Sequence, residues 1–246
     1  NWPVLMSVAI YMGMIGIIKG LHNMEGKKIG LIWGSINLVW IIWEWIEEVK
    51  KENSYLGDHT KEVRENLMKS YYLFIVSEIS IFGSLFFTYF YLMLIPSVEW
   101  GCVIPPKGIL SVEYKSIPLL NTIVLVSSSI TITACLYTIK KKEIKEYLAL
   151  TILLNLYFTY LQYIEFKTAP FNVTDTSYGS IFYTITSLHG IHVIIGNLMV
   201  MVCYLKALND ELMRNRKMYL EMTSIYLHFV DLVFLNLFLI VYIWGS

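Results

Sequence analysis

Four titratable side chains fall where hydrocarbon should lie. His189 and His192 sit in SLHGIHVIIG (187–196), and His228 and Asp231 in the closing apolar run YLHFVDLVFLNLFLIVYIWGS (226–246). A charge near a bilayer centre costs roughly 3 kcal/mol on insertion scales, so such groups face protein, water or headgroups. Imidazole and carboxyl groups there could carry protons, ligate haem or dock helices by hydrogen bonds. Glu221, Ser224, His228 and Asp231 are spaced three, four and three residues apart, which puts them on one helix stripe predicted to face protein. His189 and His192 also share a face, beside Gly190 and Gly196, which would admit a close neighbour. Earlier in the chain Glu78 is the deepest acid of its run, next to a ridge of small residues, Ser77, Ser80 and Ser84.

These residues leave several chemistries open. Each could be a satisfied interior polar group. His189 or His192 could meet His228 across a helix pair and ligate haem, although no span carries two histidines at the wide spacing that stacks two haems. Glu78, Asp231 and the histidines could relay protons, as in an independent proton or lipid transporter. The halves of the chain show no internal repeat, however, and no broken helix of the kind transporters use. Basic and aromatic residues near span ends, Trp45, Lys51, Tyr55, His59 and Lys206, suit phospholipid headgroups.

The elements that must position these groups are helices in a membrane. At 56% hydrophobic and 15% charged residues the chain is more apolar than soluble domains, which run at about 45–50%. Seven runs are long enough to span: 2–18, 29–46, 71–95, 117–139, 147–166, 178–205 and 219–244. They are continuous rather than alternating, which excludes a β-barrel. The expected architecture is all-α and polytopic, a single transmembrane bundle over 1–246. The first span lacks a basic leader and an A-x-A-like site, so it reads as a retained span.

Charge and cysteine content narrow the partners. The 19 basic residues balance 19 acidic ones, so nothing points to nucleic acid. Cys102, Cys135 and Cys203 form no CxxC pair and read as packing residues, with no metal site indicated. Most Lys and Arg follow spans 2, 4 and 6: Lys50, Lys51, Lys61, Arg64 and Lys69, then Lys140 to Lys142 and Lys145, then Lys206, Arg214, Arg216 and Lys217. Fewer (Lys19, Lys27, Lys28, Lys107, Lys115, Lys167) lie on the other side. By the positive-inside rule the N-terminus is on the side of synthesis and the C-terminus opposite.

Read in order, SLHGIHVIIG, HFVD with the terminal Trp244-Gly245-Ser246, PPKGI (105–109), IPLLNT (117–122), FTYLQYIEF (158–166), APF (169–171) and YGSIFY (178–183) resemble subunit III of haem–copper oxidases. Within it they resemble the mitochondrially encoded cytochrome c oxidase branch rather than the quinol oxidase branch. Trp2-Pro3 and Tyr55-Leu56-Gly57-Asp58-His59-Thr60 fall in the same order, so the resemblance spans the chain. It implies a seven-helix, non-catalytic subunit of respiratory complex IV whose helices 1 and 2 splay from helices 3 to 7 around a V-shaped lipid cleft. The subunit would support assembly, proton uptake and turnover stability of catalytic subunit I. Haem a and copper would belong to partner subunits, phospholipids would be bound, and supercomplex partners could dock. The location implied is the mitochondrial inner membrane, N-terminus in the matrix and C-terminus in the intermembrane space.

The resemblance also assigns residues. Glu78 matches the membrane-buried carboxylate that reacts with hydrophobic carbodiimide, which requires a protonated acid in an apolar setting. Glu52 and His59 match the acid and histidine bordering the lipid cleft, Tyr55 near them is expected to join in binding phospholipid, and Lys206 stands where the family has a lipid-phosphate arginine. His189, His192, His228, Asp231 and Glu221 are expected to dock helices. Several positions depart from the pattern. Lys206 offers a point charge in place of a planar fork. Phe87 and Ile243 replace tryptophans, and Glu44 adds an acid near the end of span 2.

Overall fold

The computed structural model describes residues 2–22, 24, 27–52, 60–95, 113–138, 140–209 and 216–245, without the side chains of 27, 50, 216 and 217. Among them seven α-helices follow in order: α1 (Trp2–Leu21), α2 (Lys27–Lys51), α3 (Lys61–Leu94), α4 (Ile117–Tyr137), α5 (Lys141–Thr168), α6 (Ser177–Leu208) and α7 (Arg216–Leu237). A π-helical turn, Phe238–Ile243, continues α7. All seven are long and apolar enough to cross a membrane, as expected of a multi-pass membrane protein.

The helices overrun the spans read from hydropathy. Helix α3 begins at Lys61 rather than 71, and α5 at Lys141 rather than 147. At 1.5 Å per residue the 34 residues of α3 reach about 51 Å, well beyond a hydrocarbon core of about 30 Å, so its ends stand in the interface. Hydropathy marks only the lipid-crossing part. Lys61, Arg64, Lys69, Lys141, Lys142, Lys145 and Lys206, which follow the spans read from hydropathy, are on helical ends.

By packing, the chain groups into two compact units, Asn1–Lys69 and Ser70–Ser246, each with its own buried residues. In the first, α1 and α2 form an antiparallel hairpin closed by small residues. A Cβ on Gly34 would stand 2.6 Å from the Gly13 nitrogen and 2.7 Å from its Cα. Backbone cannot yield as a side-chain tip can, so the two helices meet only because this residue is glycine. At one end of the hairpin the Trp2 indole N–H donates to the Glu48 carboxylate. The outer faces carry exposed apolar residues such as Val4, Ile17, Trp33 and Trp40, the surface that lipid tails would cover.

In the second unit α4 to α7 and the later part of α3 pack in three apolar layers. Phe82, Phe158, Phe229 and Phe234 form one. Ile132, Leu148, Val200 and Leu220 form another, which includes Cys135 and Cys203. Tyr89, Phe171, Phe182 and Tyr242 form the third. Cys102 lies outside the described residues. Pro118 opens α4 where its missing N–H costs nothing, and the Thr176 hydroxyl caps α6 by accepting from Gly179 N at 3.2 Å. Of the two glycines expected to thin α6, Gly196 does so: a Cβ there would lie 2.9 Å from Leu227 Cδ2, whereas at Gly190 it meets nothing within 4 Å.

The hairpin analysis gives a paired test. Gly34→Leu is expected to lower the thermal midpoint of the purified protein, consistent with an overpacking cost of about 1–3 kcal/mol. Gly20→Ala, where a Cβ meets nothing, is expected to leave it unchanged.

Candidate functional site

The polar residues singled out from sequence separate into distinct clusters within Ser70–Ser246. The first joins α3 to α6. Glu78 Oε2 lies 2.8 Å from His192 Nε2, with only 14% and 10% of the two side chains exposed. The opposite ring nitrogen, Nδ1, is 2.8 Å from the Leu188 carbonyl. A carbonyl can only accept, so Nδ1 carries a proton. One bridging proton is then shared by Nε2 and Oε2, and the pair is neutral overall wherever that proton resides. Rings of Phe82, Phe229 and Tyr226 enclose His192, at centroid distances of 5.1, 6.3 and 6.4 Å.

The second cluster joins α4 to α7. The Ser129 hydroxyl donates to Asp231 Oδ2 at 2.5 Å, and its oxygen lies 2.9 Å from His228 Nδ1. With the single Ser129 proton on Asp231, that oxygen accepts from His228 Nδ1–H. His228 Nε2 is 3.2 Å from Thr133 Oγ1, and the Thr133 hydroxyl donates its proton to the Ser129 carbonyl at 2.8 Å. Serine, histidine and aspartate are thus together without the order of a nucleophilic triad, because the acid holds the serine rather than the imidazole. Asp231 and Ser224 are buried, as the stripe predicts, and Glu221 is half-buried. His228 differs. It is exposed on the outer surface of the chain, in a span whose neighbouring Leu232 is also exposed.

A third cluster was not singled out from sequence. Glu165 on α5 is 2% exposed, accepts from the Tyr242 hydroxyl through Oε1, and lies 3.4 Å from Asn121 Nδ2 through Oε2. It is more deeply enclosed than Glu78. The signal was present in the α5 sequence, because Asn155, Gln162 and Glu165 fall on one stripe of an otherwise apolar span, and α4 supplies Asn121. His189 joins none of these clusters. It is 1% exposed, with its ring edge-on to Phe158 at 5.8 Å and tilted against Phe234 at 5.2 Å.

The proposed histidine pairings do not form. His192 meets Glu78, and His228 meets Ser129 and Thr133. Among the described residues no three His, Cys, Asp or Glu side chains converge as a metal site would require. Lys206, in the last turn of α6, holds its ammonium 3.6 Å above the centre of the Tyr219 ring. Glu52 is half-buried at the end of α2, while Tyr55 and His59 lie outside the described residues. The ridge serines Ser77, Ser80 and Ser84 are exposed, and their hydroxyls donate to carbonyls of their own helix.

This arrangement can share a proton, hold helices in register and present a cation. Comparison with known proteins then decides the family. The model of the family described as cytochrome c oxidase subunit III matches residues 1–246. The chain belongs to the cytochrome c oxidase subunit III family. Its relatives include cytochrome c oxidase subunit 3 of Schizophyllum commune, 38% identical over all of this chain and 92% of that protein. The Drosophila yakuba protein of the same name is 36% identical and the Triticum aestivum protein 37%, each over all of this chain and 94% of the relative. In this chain Glu78, Asp231 and Glu165 are each hydrogen-bonded to a side chain of another helical segment, while His189 packs among aromatic rings.

Ser129→Ala is expected to destabilise the protein by about 1–3 kcal/mol, because it leaves the buried Asp231 carboxyl without its donor. Thr133→Val is expected to cost less, since the exposed His228 keeps its Nδ1 bond. Chemical denaturation of the two variants checks the order.

Proposed function

We propose that this chain, as subunit III of a proton-pumping cytochrome c oxidase, is its non-catalytic support: it docks on catalytic subunit I, binds phospholipid and sustains proton uptake and turnover. Electron transfer from cytochrome c to oxygen, with haem a and copper, belongs to the partner subunits. The observation that carries this reading is the full-length family match, together with the Glu78–His192 and Asp231–Ser129 hydrogen bonds that tie helices to one another.

The outward-facing His228 supports docking. An imidazole on the outside of a membrane span is costly against lipid tails and favourable against another polypeptide. We place a subunit of the oxidase against this α4/α7 surface, with Asp231 and Ser129 fixing the imidazole for it. His189, His192 and Glu221 act in the same reading as helix-docking groups inside the chain.

Lipid binding is assigned to the ends of the helices. The Lys206 ammonium, steadied on Tyr219, offers a headgroup phosphate a positioned cation at the last turn of α6. Glu52, Tyr55 and His59 are proposed as further headgroup contacts. The distribution of Lys and Arg supports a matrix N-terminus and an intermembrane-space C-terminus in the mitochondrial inner membrane.

Glu78 is proposed as the carbodiimide-reactive acid, because it is a largely enclosed carboxyl on a membrane span, held beside His192 among aromatic rings. In the assembled oxidase, Glu78→Gln is expected to abolish labelling of this chain. Labelling that persists in that variant and disappears in Glu165→Gln would assign the chemistry to the deeper acid instead. Lys206→Ala is expected to lower the phospholipid retained through purification and the number of turnovers completed before inactivation. Unchanged lipid content and lifetime would contradict the headgroup assignment. Removing the whole chain is expected to leave a catalytically competent core that inactivates sooner; a core with an unchanged lifetime would contradict the support role.

A further inference from the structure

The contacts that run from Asp231 through Ser129 and His228 to Thr133 fix how many protons this cluster holds. Ser129 Oγ is 2.5 Å from Asp231 Oδ2 and 2.9 Å from His228 Nδ1, and His228 Nε2 is 3.2 Å from Thr133 Oγ1. The Ser129 carbonyl can only accept, and at 2.8 Å it takes the one Thr133 hydroxyl proton. Thr133 Oγ1 therefore accepts from the ring, and Nε2 carries a proton. Ser129 stands between two groups with a single proton of its own. If it donates to Asp231, Nδ1 must supply the proton of the other contact; if it donates to Nδ1, Asp231 must.

Both arrangements satisfy every contact, and both contain the same number of protons. In one, Asp231 is a carboxylate and His228 an imidazolium. In the other, Asp231 is a neutral acid and His228 a neutral imidazole. Their summed charge is zero either way, so the cluster places no net charge in the span. The two ends nevertheless differ in surroundings: Asp231 is 6% exposed, whereas His228, one turn earlier on α7, lies on the outer surface.

We propose that Asp231, Ser129 and His228 form a proton-relay site, in which Ser129 passes one proton between the buried carboxyl and the outward imidazole. From carboxyl to ring, the Asp231 Oδ2–H bond breaks as Ser129 Oγ takes that proton, and the original Ser129 Oγ–H bond breaks as Nδ1 takes the other. No further reactant is needed, and the serine remains a hydroxyl, turned from the ring to the acid. An anionic group set against the outer surface draws the proton to His228, and an apolar one returns it to Asp231. The relay thus adjusts the charge on the α4/α7 surface without drawing a proton from solution. Titratable groups on the adjoining elements have other contacts: His189 with Phe234, His192 with Glu78, Cys203 with Thr223 and Tyr242 with Glu165. On α7 itself Glu221 lies two turns before His228, and on α4 Tyr137 lies one turn beyond Thr133.

The test is an infrared pH titration of the assembled oxidase. The carboxyl band of Asp231 is identified by its loss in Asp231→Asn, and the ring bands of His228 by their loss in His228→Gln. In the unaltered protein both sets are expected to change at one common midpoint, with amplitudes that sum to one proton, because the two residues share it. In Ser129→Ala the midpoints are expected to separate by about one pH unit or more. Two midpoints in the unaltered protein, one residue titrating alone, or a common midpoint that survives Ser129→Ala would each overturn the relay. If Ser129→Ala does not assemble, the midpoints and amplitudes of the unaltered protein decide.

Discussion

A polar group in hydrocarbon has no water to fall back on, and the interior of Ser70–Ser246 is organised around that constraint. Charged and hydroxyl-bearing residues that cross into a span are stabilised by a partner on another helix or on their own backbone. Glu78 finds His192, Asp231 finds Ser129, and Glu165 finds Tyr242 and Asn121. Except for Glu165–Asn121, which joins the consecutive helices α4 and α5, each of these pairs joins segments far apart in sequence. Satisfying the groups therefore also fixes which helices are neighbours and at what register, and aromatic layers fill the space between them. Apolar side chains alone would specify this less sharply, since lipid tails are as apolar as leucine and give the helices little reason to prefer one another.

The same constraint shapes how the few ionisable residues within the spans are arranged. Histidine, serine and aspartate are all present on α4 and α7, but the aspartate engages the serine and the imidazole turns outward. The Glu78–His192 pair carries one proton between two basic sites while remaining neutral overall. Such a pair can sit in a membrane interior at low electrostatic cost.

Much of this was legible in the sequence. The number of helices follows from continuous apolar runs, and the family from collinear motifs. The burial of His189, His192 and Asp231 follows from their place on the spans. What the sequence could not give was pairing across helices. Glu78 and His192 are 114 residues apart, and periodicity on α3 or α6 alone says which face each occupies without naming the other. His189 and His192 share a helix face by spacing, yet one turns into an aromatic box and the other to a carboxylate. Glu165 stands near the end of a span, where an acid ordinarily reaches the interface, and only the fold brings Tyr242 over it. The outward position of His228 was likewise hidden, because a stripe at helical spacing covers an arc wide enough to include both core and surface.

The central claim, a subunit that supports a haem-bearing partner without holding the haem, is tested most directly by a reduced-minus-oxidised optical spectrum of the assembly that co-purifies with this chain in mild detergent, recorded before and after the chain is stripped away. The account requires an a-type haem signal in the intact assembly that stays with the remaining subunits. An intact assembly without haem, or a haem signal that leaves with this chain, would contradict it.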